Sequence, residues 1–120
     1  MSALVKPVTW LLGIVLTLVG VAGFVTTGGM LLVFQVDTPH NVVHIVSGLA
    51  GLFAASKGYG ASRMFLIVFG LIYGLVTLLG FISSDGSILG LIGVNAADNY
   101  LHLAITAVSL VLGFGSSKNA

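Results

Sequence analysis

The run M-F-L-I-V-F-G-L-I-Y-G-L-V-T-L-L-G-F-I, residues 64–82, carries no charged side chain and follows directly on Arg63. A helix rises about 1.5 Å per residue, so this run extends for about 30 Å, the thickness of the hydrocarbon core of a bilayer. The stretch from Val8 to Val25 is of the same kind. Two further apolar stretches, Val42 to Ala55 and Tyr100 to Phe114, fall short of the ~20 residues that a crossing needs. They reach that length only by taking in the polar residues before them. This inclusion places Asn41, His44, Asn99 and His102 in the first turns of spanning helices.

Composition agrees with four crossings. Hydrophobic residues make up 58% of the 120 positions and charged residues 6%, with mean hydropathy +1.19; soluble domains carry about 25% charged residues. No water-soluble surface can be assembled from so few charges. A net charge of +1 excludes an electrostatic nucleic-acid binder, and the absence of cysteine removes disulfides, thiolate metal sites and thiol nucleophiles together. The first apolar stretch is longer than the 7–15 residues or so of a signal-peptide core, and no small-residue cleavage signature follows it. It is expected to be a first span.

The charges orient the spans. Lys6, Lys57, Arg63 and Lys118 flank alternate ends of the four stretches and all fall on one side, whereas Asp37, Asp85 and Asp98 fall on the other. Positively charged ends face the cytoplasm, so both termini are expected there. The two outer loops contain M-L-L-V-F-Q-V (30–36) and S-I-L-G-L-I-G-V (87–94), apolar but too short to cross. They are expected to lie along the interface or to fold over the mouth of the bundle. Whether the first helix runs on through Gly28-Gly29 is open, because a glycine pair can end or kink a helix.

Self-comparison reveals a repeat. G-F-V-T-T-G-G (23–29) recurs as G-F-I-S-S-D-G (80–86), and after a one-residue slip V-D-T-P-H-N-V-V-H-I (36–45) matches V-N-A-A-D-N-Y-L-H-L (94–103). The expected fold is therefore all-α: one transmembrane domain over residues 1–120, a four-helix bundle of two tandem, parallel helical hairpins at about 8–57 and 62–115. Equivalent residues then lie at equal depth, with Asn41 beside Asn99 and His44 beside His102 across an axis along the membrane normal.

Three stretches carry a resemblance: N-V-V-H-I-V-S-G-L-A-G-L (41–52), R-M-F-L-I-V-F-G-L-I-Y-G-L-V-T-L-L-G-F (63–81) and L-G-L-I-G-V-N-A-A-D-N-Y-L-H-L (89–103). Together they resemble the bacterial four-helix membrane family known as domain of unknown function 4383, although Gly93 stands where that family often has proline. The resemblance implies four helices and a bacterial cytoplasmic or thylakoid membrane, and it brings no activity.

The candidate chemistry is at the outer end. His40 and His44 are one turn apart, as are Asp98 and His102, and the repeat aligns His40 with Asp98. Three imidazoles and one carboxylate form a ligand set for zinc or another divalent transition metal. His44 and His102 alone could be axial ligands to haem or a chlorophyll-type pigment. The plainer reading is that the asparagines cap their helices and the histidines bond to loop backbone. Catalysis has little to draw on: the chain has no Glu and no Cys, and Ser47, three residues after His44, lacks an orienting acid. Nor do mid-span ionisable residues mark a transport path. Small residues at helical spacing, Gly70-x-x-x-Gly74, Ser47-x-x-x-Gly51 and Ser109-x-x-x-Gly113, suit packing within the bundle or, alternatively, contact with another subunit.

From sequence, the chain reads first as a non-enzymatic structural or accessory membrane protein, a subunit of a respiratory or photosynthetic assembly. Its partners are then lipid and a membrane protein or a second copy engaged through small-residue faces. A metal- or tetrapyrrole-binding bundle is the alternative and a small transporter the third.

Overall fold

The computed structural model describes residues 1–26, 30–31, 34–35, 38–82, 87–88, 92–93 and 96–117. The fold is all-α, with four helices in two antiparallel pairs. Helix α1 (Ser2–Val25) is joined to α2 (Thr38–Lys57) through a minimal hairpin, β1 (Met30–Leu31) with β2 (Phe34–Gln35). Helix α3 (Tyr59–Ile82) is joined likewise to α4 (Ala96–Gly115) through β3 (Ser87–Ile88) and β4 (Ile92–Gly93). The main packing is α1 on α2 and α3 on α4.

Each helix begins earlier than its apolar run. Both α2 and α4 take in the polar residues before Val42 and Tyr100, and Pro39 falls in the first turn of α2, where a missing N–H leaves no bond unmade. Helix α1 stops at Val25, and Thr26 turns into extended backbone with φ −84° and ψ 134°. Gly28 and Gly29 lie outside the described residues. Between α2 and α3 the chain reverses at a single residue, Gly58, whose φ of +115° is one that side chains disfavour. By length and composition α1, α3 and α4 can cross a membrane; α2 equals α4 in length but has the more polar first two turns.

Shifting α1 by 57 positions gives the bounds of α3, and shifting α2 by 58 gives those of α4. The same shifts relate β1 to β3 and β2 to β4, so the extra residue falls between β3 and β4. Burial follows the same rule. Val5, Thr9, Gly13, Leu16, Gly20 and Gly23 on α1 correspond to Ser62, Leu66, Gly70, Tyr73, Thr77 and Gly80 on α3, all buried. The buried positions of α2, from His40 to Ala55, correspond one for one with those of α4, from Asp98 to Gly113.

These buried faces are mostly small or polar, with Val5, Leu16, Leu66, Phe69 and Leu112 among them, and the outer faces are Leu, Val, Ile and Phe; Leu18, Phe53 and Ile82 are each more than 60% exposed. A soluble bundle has the opposite arrangement, and this one suits lipid. Three threonine hydroxyls bond back to their own helices: Thr9 donates to the Val5 carbonyl, Thr17 to Gly13 and Thr77 to Tyr73, at 2.6–2.7 Å. Glycine sets the distance between paired helices. A Cβ on Gly48 would lie 2.5 Å from the backbone nitrogen of Thr17, and one on Gly70 2.7 Å from the Leu110 side chain. The small-residue faces on Gly48, Gly51, Gly70 and Gly113 are thus occupied inside the chain.

Gly48→Ala should therefore force α1 and α2 apart and cost about 1–3 kcal/mol. The measurement is the unfolding midpoint in detergent or bilayer, with Gly60→Ala as the control, because a Cβ there meets nothing within 4 Å. Equal midpoints for the two variants would contradict the seam.

Candidate metal centre

Three histidines from two helices meet at the end of the bundle that carries the hairpins. His40 and His44 lie one turn apart on α2, and their rings stack with centroids 4.6 Å apart. His102, on α4, approaches from the facing helix, its centroid 5.7 Å from that of His40 and 6.2 Å from that of His44. All three are buried, at 3–4% exposure. One ring nitrogen from each can be chosen so that all lie within 4.8 Å of one another. Nδ1 of His44 and Nδ1 of His102 have no hydrogen-bond partner among the described residues.

The fold explains this convergence. Helices α2 and α4 are not a packed pair, and the histidines fill the space between them near their first turns. Above them, β2 lies against α4 and β4 against α2, so each hairpin leans on the second helix of the other half. The rest of the two apolar loops, expected along the interface or over the mouth, lies outside the described residues. Tyr73, on α3, sets its ring edge-on to His102 at 5.5 Å, and its hydroxyl is hydrogen-bonded to the Ser47 side chain. Residue spacing alone does not mark Tyr73 as a neighbour of the site, although a tyrosine in the middle of an apolar run requires a polar partner. Beside the histidines is a cavity of about 150 Å³ lined by His40, Val43, Ile72, Tyr73, Val76 and His102.

Two sequence expectations change here. Asp98 is buried one turn before His102, yet it is outside the close group of ligand atoms, which consists of the three histidines. Asn99 ties α4 to α3 besides standing at a helix start: its Nδ2 donates to the Gly80 carbonyl at 3.2 Å. Gly80 and Gly23 leave room for Asn99 and Asn41, since a Cβ at either glycine would overlap the amide oxygen at 2.0–2.2 Å.

An ion fits this geometry better than a macrocycle does. A tetrahedral zinc with Zn–N of about 2.0–2.1 Å holds its nitrogens about 3.4 Å apart, a contraction of at most about 1.4 Å from the present spread of up to 4.8 Å, within reach of χ rotations. A tetrapyrrole between His44 and His102 would have to displace His40. The cavity is also well below the 300–1,000 Å³ or so typical of sites for organic ligands.

Residues 6–115 match the family model described as Domain of unknown function (DUF4383). The chain belongs to this family. The matched region holds the three histidines, Tyr73 and both hairpins. No curated protein and no solved structure matches the chain. The DUF4383 description assigns no chemistry, so the role of the cluster rests on its geometry.

Proposed function

We propose that this protein is a non-enzymatic, four-span bacterial membrane protein that holds one transition-metal ion on His40, His44 and His102, close beneath its outer surface. The observation that carries the reading is the approach of three buried imidazoles from two helices to within 4.8 Å of one another. Imidazole suits copper, zinc, iron and nickel. A buried imidazole nitrogen left without a partner costs about 1–3 kcal/mol, and a metal ion would supply the partner for His44 and His102. The matched element bounds and burial of the two halves support a duplicated hairpin, in which each copy contributes a histidine at the same depth.

The accessory-subunit reading has less support. Its small-residue faces are taken up by α1–α2 and α3–α4 packing, and the remaining apolar surface is what lipid covers. Metal analysis of protein purified without chelators and then equilibrated with copper(I) or zinc tests the proposal. About one tightly held ion per chain is expected. No retained ion of either metal would refute it.

A further inference from the structure

We propose that the metal on the three histidines keeps one coordination position open toward the adjoining cavity, and that this position takes a small uncharged ligand of diatomic size arriving from the bilayer. This rests on the histidine site proposed above. Three protein ligands leave a four-coordinate ion one position short, the arrangement that reactive sites use. His40 and His102 are themselves walls of the cavity, so the quadrant between them opens into it.

The remaining walls select the ligand. They are Val43, Ile72, Val76 and the ring of Tyr73, whose hydroxyl is engaged by Ser47. A bound water needs two to four polar partners, and apolar cavities of about this size stay dry and admit guests such as xenon. Hydrated ions would have to shed their water without compensation. An uncharged diatomic has no such penalty, and its size fits.

A route to the site exists as well. A larger groove of about 400 Å³ runs between α2 and α3, bordered by Val46, Ala50, Met64 and Val68, and it shares Ile72 with the cavity. Val46, Met64 and Ile72 are each more than half exposed on the lipid-facing surface. Small uncharged gases dissolve in hydrocarbon, so they need no aqueous channel to reach Ile72.

The test uses carbon monoxide on the full chain loaded with copper(I) in lipid nanodiscs, read by the infrared C–O stretch. One CO per copper is expected. Val76→Phe and Val43→Phe, which fill the cavity from two sides, should leave copper content unchanged and weaken CO binding about tenfold or more. Xenon should bind the metal-free parent and neither filled variant. Copper retained without CO, CO bound equally by parent and variants, or no xenon in the parent would each overturn the proposal. Failure to retain copper would instead overturn the histidine site, and this proposal with it.

Discussion

Replacing His102 with alanine is expected to lower metal affinity at least about 100-fold, or about 2.7 kcal/mol. His102 is the sole histidine that α4 supplies, and its loss leaves two imidazoles one turn apart on α2. Two ligands on one helix bind an ion from one side only, and the bridge between the hairpins is gone. Asp98→Asn should retain the one-to-one stoichiometry, because Asp98 lies outside the close group of ligand atoms. Competition against a chromophoric chelator measures both variants, and unfolding midpoints show whether either has lost its fold. Equal losses for the two would return Asp98 to the ligand set and replace the three-histidine site with a four-ligand one.

That contrast marks where the sequence stopped being informative. The spacing of His40, His44, Asp98 and His102 determines their depth and the helix face of each, and the structure places all four in buried positions at the hairpin end of the bundle. Which of them converge depends on side-chain rotamers and on the width of the gap between α2 and α4, and a repeat alignment contains neither. The one-residue slip between residues 29 and 36 was legible as an offset. Only strand pairing assigned it to the hairpin turn, where Leu31 faces Phe34 and Ile88 faces Ile92. The apolar runs start at Val8, Val42 and Tyr100, later than the helices do, and for the second and fourth helices the length of a crossing already required the polar residues before them. A hydropathy pattern ends where polar residues begin, whereas a helix continues if those residues are buried against a neighbour, as Asn41 is against Gly23. Glycine spacing marked close contact, but small residues look the same whether they receive a helix of their own chain or of another.

Single-cysteine labelling should divide the chain into two sides without intermediate cases. The protein has no cysteine of its own, so each introduced thiol reports one position. Cysteines at Ser2, Gly60 and Ser117 are expected to react with an impermeant reagent only from the cytoplasmic side, and one at Gly86 only from outside. Helix packing sorts these positions in the same way as the charges do. The Ser117 amide donates to the Ser2 hydroxyl at 3.1 Å, and the Tyr59 hydroxyl donates to the Ser117 carbonyl, so the start of α1, the start of α3 and the end of α4 meet at one end of the bundle. Chain ends that touch require an even number of crossings. Helix α2 is the segment whose composition falls short, but it packs antiparallel along α1, and its 20 residues rise about 30 Å. It is therefore long enough to run beside most of α1, as a fourth crossing requires. Its polar first turns suit a crossing because His40, Asn41 and His44 face the interior, while Val42, Val46, Leu49 and Phe53 face outward. Were α2 to lie along the interface instead, Gly60 would be labelled from outside and Ser2 from within. That outcome would also separate His40 and His44 from His102, and the three-histidine site would go with it.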